Sequence, residues 1–116
     1  MCLNTIRPNL KKEISKLKVH SDGYIWLWKV FGVKSDNALS GCCRNFVFYE
    51  GKNTARGGKI TNGAFTYPAG FHCYISKKAA EENWCGHVQQ VKVRKSWITS
   101  IGLQWGTVVV CKHIII

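Results

Sequence analysis

Apolar residues along the chain recur in patterns that separate helix from strand. Leu10, Ile14 and Leu17 fall at helical spacing, with Lys11, Lys12, Lys16 and Lys18 on the remaining surface and Pro8 suited to a first turn. Residues 9–18 therefore read as a short basic amphipathic helix. From Tyr24 to Phe31 the chain is apolar on both strand faces, which fits a central strand. Turn chemistry follows over 34–45, with Lys34, Ser35, Asp36, Asn37 and Gly41-Cys42-Cys43, before Phe46-Val47-Phe48-Tyr49 resumes a strand pattern.

Pro68-Ala69-Gly70 marks another turn, and after it Phe71, Cys73 and Ile75 alternate with His72 and Tyr74 as a short strand. Ser76 stands as an N-cap before a helix over 77–84, in which Lys77/Glu81 and Lys78/Glu82 form i,i+4 pairs. The last third reads as three β segments: Gln89–Val93, Trp97–Leu103 and Gly106–Ile116. On the first, Gln90, Lys92 and Arg94 oppose the apolar positions and give a basic sheet face. There is no internal repeat and no linker. The expectation is one α+β domain over 1–116, a twisted and mainly antiparallel sheet of about five to seven strands with two short helices. Its expected core holds Ile25, Leu27, Phe46, Phe48, Phe71, Ile75, Val91, Val93, Ile98, Val108 and Val110.

Composition adds a partner class to this outline. Lys and Arg number 17 against 6 Asp and Glu, a net charge of +11, while 46% of the chain is hydrophobic and 5 Trp, 4 Tyr and 5 Phe can fill a core. The apolar run near the C-terminus is broken by Thr107, Lys112 and His113, short of the roughly 20 residues of a membrane helix. The N-terminus lacks a secretory pattern, so the expected compartment is the cytosol, without a membrane partner. There the six cysteines would be thiols or metal ligands rather than disulfides.

The positive charge is spread over the first 20 residues, over 29–59 and over 77–95, so no single tail holds it. Such a field attracts nucleic acid and acidic protein surfaces alike. Nucleic acid is favoured where cations lie among exposed rings, and Trp84, Trp97 and Trp105 lie near cations in sequence. The candidate contact is Lys52, Arg56, Lys59, Lys77, Lys78, Lys92, Arg94 and Lys95.

Residues 51–63 hold four glycines, three cations and no acid, and read as a mobile, positively charged loop. The segment is not a P-loop, because Asn53 and Ile60 stand where glycine and Ser/Thr are required. Cys42, Cys43, Cys85 and His87 supply the four N/S donors of a structural zinc site, although the spacing is not that of a standard finger. Buried thiols are the other reading of these cysteines. Acid–base catalysis finds little to work with: Glu81 and Glu82 point apart on one helix, and His72 fits a structural histidine better than a base. The chain reads as a non-enzymatic binding protein.

The pattern Gly70-Phe71-His72-Cys73-Tyr74, then Ala79-Ala80, Val91-Lys92-Val93, Gly102, Gly106 and Val108-Val109-Val110, resembles small accessory domains of phages and mobile elements in which a GFH strand precedes a short helix and closing strands. The resemblance covers about the last half of the chain and implies a phage-encoded accessory protein. By that context it would be an anti-CRISPR or other counter-defence inhibitor, acting in the host cytoplasm on an acidic protein or nucleoprotein. A nucleic-acid or nucleotide-binding module is the alternative, and an ADP-ribosyltransferase-like enzyme a further one, for which no active-site glutamate stands out.

Overall fold

The computed structural model describes residues 3–35, 38–41, 47–62, 65–83 and 87–116. Along the chain these form β1 (Thr5–Ile6), α1 (Leu10–Ser15), β2 (Ile25–Ser35), β3 (Ala38–Gly41), β4 (Val47–Tyr49), β5 (Lys52–Thr54), β6 (Lys59–Asn62), β7 (Phe65–Pro68), β8 (Phe71–Tyr74), α2 (Lys77–Asn83), β9 (His87–Val93), a single 3-10 turn (Lys95–Trp97), β10 (Ile98–Leu103), β11 (Thr107–Cys111) and β12 (His113–Ile115). The mainly antiparallel sheet and the two short helices are as expected. The strand number is not: among the described residues one sheet has ten strands and a second has two. Strands of two to four residues are too short to show a period of their own, which is why about five to seven were expected.

Strand β2 is central, as its apolar faces require. It pairs antiparallel with β9 from Ile25↔Val93 to Phe31↔His87, and with β8 at Trp28↔Tyr74. The main path runs β1-β10-β11-β8-β2-β9-β12-β5, with β3 added to β2 and β4 to β3. Only Lys112 separates β11 from β12, yet β8, β2 and β9 lie between them in the sheet. Flat, that separation would be about 19 Å. Two residue steps span at most about 7 Å, so the sheet must curl until the two strands approach end to end. β12 then pairs with β9 and β5, while the Lys112 N–H donating to the Trp97 carbonyl at 2.9 Å extends the β10–β11 ladder to the strand break.

Inside the curl lies one apolar cluster, containing Ile25, Leu27, Phe31, Phe48, Phe71, Cys73, Val91, Val93, Ile98, Ile101, Val109, Cys111 and Ile114. Helix α1 lays Leu10 and Ile14 against it, followed by Leu17. A second cluster, on the other face, joins Leu3, Val30, Ile60, Tyr67, Tyr74, Ala80, Val108 and Val110. Lys29 points into the first cluster and is only 7% exposed. Its ammonium donates to the His72 carbonyl at 3.3 Å and lies 5.5–5.8 Å from the ring centroids of Phe31, Phe48 and Phe71, where the ring quadrupoles offset part of its lost hydration. Cys73 and Cys111 are buried thiols in the same cluster. Burial pushes the Cys111 thiol well up, while its S–H bond to Cys73 pulls that thiol down.

Four expectations need correction. The first helix is shorter than 9–18, because Asn9 caps it with its side chain accepting from the Lys12 N–H, leaving Pro8 outside. Lys34 and Ser35 extend β2, and 38–41 pair with it instead of forming a turn. Ile75 shares the face of Phe71 and Cys73 but sits beyond the end of β8 and is 39% exposed. Within the segment read as a loop over 51–63, Lys52–Thr54 and Lys59–Asn62 instead form β5 and β6. Asn53 explains how so polar a segment forms a strand: it is buried, and its side chain donates to the Tyr49 and Gly51 carbonyls and accepts from the Tyr49 N–H. Phe46, expected in the core, lies outside the described residues.

Helix α2 follows its sequence. The Ser76 hydroxyl accepts from the Ala79 N–H, and Lys77–Glu81 and Lys78–Glu82 pair at 3.6 and 3.8 Å. No helix among the described residues is long and apolar enough to cross a membrane.

Candidate nucleic-acid interface

Cations and rings form a continuous strip where the end of β9 meets the start of β2 and the β11–β12 closure. The strip begins at the Asp22-Gly23 turn. Asp22 Oδ2 accepts from Lys92 Nζ at 2.9 Å and from the Trp26 indole N–H at 3.1 Å, and Oδ1 accepts from the Tyr24 N–H at 3.0 Å. The Lys92 hydrogen bond, followed by those from Tyr24 and Trp26, holds the Asp22 carboxyl down to about 2 from its ordinary 3.8. Lys92 is the cross-strand partner of Trp26, so its ammonium also lies 5.5 Å from that ring's centroid. His20 stacks on Trp26 with centroids 3.7 Å apart and planes 2° from parallel.

One step along, Ile25↔Val93 pairing brings Tyr24 opposite Arg94. The guanidinium carbon lies 4.6 Å from the tyrosine centroid, and Arg94 Nη2 donates to the phenol oxygen at 3.2 Å. Tyr24 in turn meets Trp97 at 6.3 Å. Trp97 carries Lys52 over its ring at 5.2 Å and takes His113 edge-on at 5.4 Å. Thr54 Oγ1 lies 3.0 Å from His113 Nδ1. Partial burial, then the charges of Lys52 and Lys112, push the His113 imidazole below its ordinary value.

Of the eight expected contact residues, the strip unites Lys52, Lys92 and Arg94. Lys95 follows Arg94 as an exposed residue of the 3-10 turn that ends at Trp97. Arg56 and Lys59 are exposed on the segment leading into the β6–β7 hairpin. Lys77 and Lys78 belong to α2, where their glutamate partners balance the charge locally, although Lys77 also lies 5.1 Å over the Trp28 ring. Trp105 is exposed at the β10–β11 turn, and Trp84 lies outside the described residues.

Tyr24, His20, Trp26, Asp22, Lys112 and His113 were missed by sequence reasoning. Period-2 alternation could have placed Trp26 opposite Lys92, but nothing in the sequence announces the β10–β11 register, Ile98↔Cys111, that sets His113 beside Trp97. Three of the four proposed zinc ligands, Cys42, Cys43 and Cys85, lie outside the described residues, and the fourth, His87, sits with Nε2 3.1 Å from Gln89 Oε1. No metal-holding group occurs among the described residues.

His72 has a different task. It is 6% exposed, with Nδ1 3.1 Å from the Gly70 carbonyl and Nε2 3.0 Å from the Tyr67 hydroxyl. A carbonyl only accepts, so Nδ1 carries the proton, Nε2 accepts from Tyr67, and the Tyr67 oxygen accepts the Leu3 N–H at 2.9 Å. This relay locks the N-terminal segment to the β7–β8 turn.

The pH response of the strip follows from Asp22. Its carboxyl titration, read by NMR, should have a midpoint near 2, and Lys92→Met should return it toward 3.8. Because the folded value is depressed, the stability from this pair is present above about pH 3.8 and is lost as pH falls through about 2. A midpoint of 3.8 in the unaltered protein would show that the clamp is open in solution.

Fold and strip together define a curled, mainly antiparallel domain with a cation–aromatic edge. Compared with known proteins, the chain is matched by no family model, no curated sequence and no solved structure.

Proposed function

We propose that the protein is a small non-enzymatic binding module that holds single-stranded nucleic acid along the strip, as part of its action on a nucleic-acid-handling complex. The observation that carries this reading is the alternation of three rings, Tyr24, Trp26 and Trp97, with Arg94, Lys92 and Lys52 along one connected edge. Phosphates pair with the cations and bases stack on the rings. An exposed cation–ring contact contributes about 0.5–1 kcal/mol. Base stacking contributes about 1–3 kcal/mol, so a base can displace a cation from a ring and leave it for a phosphate. An acidic protein would use the charge but has no equal use for the flat faces.

The phage-encoded setting rests on the resemblance that begins at Gly70–Tyr74, and the role of inhibitor of a CRISPR-type or other defence complex on that context alone. A basic module lodged in such a complex's nucleic-acid channel fits it.

The test is fluorescence anisotropy with a labelled 12-nucleotide single strand over a range of salt. With three to four phosphates engaged, log K should fall against log salt with a slope of about −2 to −3. In a Lys52→Glu/Arg94→Glu variant the slope should shrink by about 1.4, at about 0.7 per lost phosphate contact. Equal binding by that variant, or co-purification with one acidic protein while the oligonucleotide is ignored, would overturn the reading.

A further inference from the structure

We propose that Lys52, Lys112, His113 and Trp97 form a subsite for one phosphodiester and its adjoining base, and that His113 takes up a proton when the subsite fills. The inference rests on the nucleic-acid reading above and names the position on the strip where a phosphate is held.

The geometry comes from three elements meeting at the closure of the sheet. Antiparallel pairing of β12 with β5 sets His113 against Thr54 and Ile115 against Lys52, so Lys52 and His113 project from the same side of neighbouring strands. Lys112 is held at the strand break by its backbone bond to the Trp97 carbonyl. Trp97 lies between, with Lys52 5.2 Å from its centroid and the His113 ring 5.4 Å away at 74°. Lys52 and Lys112 are exposed, while Trp97 and His113 are half-buried, so the cations are free to turn toward a ligand over a ring that is fixed.

The chemistry follows from placing an imidazole beside two ammonium groups. In the free protein burial, then these charges, hold His113 below its ordinary value and so disfavour its protonated form. A phosphodiester bound by Lys52 and Lys112 reverses the local field, and the most favourable response is for the imidazole to take a proton from solvent and become a third cationic donor. Thr54 Oγ1, which contacts Nδ1, can accept from the resulting N–H by rotating its own hydroxyl hydrogen away. Binding and proton uptake are then linked. Acid strengthens binding by up to about tenfold per pH unit where His113 is protonated only in the complex.

The experiment uses the whole protein, its histidine ring resonances followed by NMR from pH 5 to 8, alone and saturated with a 12-nucleotide oligothymidylate. Oligonucleotide affinity is measured in parallel at pH 7.5 and 6. The expected result is a His113 midpoint that moves upward in the complex and an affinity that rises about three- to tenfold on acidification. His113→Gln should lose most of that rise, whereas His87→Gln, outside the strip, should keep it. Since His113→Gln could disturb the Trp97 contact, the midpoint in the unaltered protein is the deciding readout.

If the oligonucleotide binds with the salt dependence described and the His113 midpoint stays in place, this subsite is overturned while the wider reading stands. If no oligonucleotide binds, both fall. Heparin, a sulfated polyanion without bases, is the third arm. It should move His113 without quenching Trp97 fluorescence, and equal quenching by both polyanions would overturn the assignment of Trp97 to a base.

Discussion

Gly102→Ala is expected to destabilise the protein by about 3 kcal/mol, toward the upper end of what overpacking costs. Gly102 lies in β10 opposite Ile6, where β1 pairs with it. A Cβ there would overlap the Thr5 carbonyl oxygen and come within 2.9 Å of Leu3 Cδ1. Neither neighbour can yield cheaply. The backbone on either side of Thr5 is bonded to β10 by Asn4 N–H to Leu103 O at 2.7 Å and Arg7 N–H to Ile101 O at 2.9 Å, and Leu3 is fully buried in the second cluster. The methyl group must therefore push β1 off the sheet. Urea unfolding measures the cost. A loss below about 1 kcal/mol would mean that β1 contributes little to the folded state in solution.

Tyr67→Phe has the second-largest expected effect. It removes one oxygen that donates to His72 Nε2 and accepts from the Leu3 N–H, both deep in the second cluster. Two buried polar groups lose a partner, and with each loss in the lower part of its range of about 1–3 kcal/mol, a total of about 2–3 kcal/mol is expected. At roughly 4 °C per kcal/mol this is a fall in Tm of about 10 °C. Combining it with His72→Phe should cost less than the two single losses added together, because the second change removes an acceptor that the first has already deprived of its donor. Strict additivity in that cycle would show that the relay is not coupled.

Local signals in the sequence reported what depends on local chemistry. Two apolar faces from Tyr24 to Phe31 identify a strand with neighbours on both sides, and Ser76 with its two Lys/Glu pairs identifies α2 almost to the residue. Asn53 shows where this fails. Its amide supplies hydrogen bonds from a side chain, so a segment without apolar alternation still forms a strand. Ile75 fails for another reason, since alternation gives its face but not the point at which the strand ends and the cover stops.

The candidate interface was legible in its cations and largely hidden in its rings. Lys52, Lys92 and Arg94 are visible from charge alone. Their coherence comes from registers such as Trp26↔Lys92 and His113↔Thr54, set between residues more than 50 positions apart. The proximity of Trp97 to His113 follows from the β10–β11 register, Ile98↔Cys111, and that of Lys52 from β12 leaving β11 to pair with β5.

The enclosed thiols give the inner cluster a kinetic character. Cys73 and Cys111 are fully buried on two adjoining strands near the middle of the sheet order, with Lys29 beside them. Neither sulfur is exposed in the folded protein, since both face the inner cluster and are covered by the residues packed there. Their reaction is therefore timed by the opening of the sheet rather than by the reagent, and the two sulfurs act as an internal clock for how often the domain comes apart.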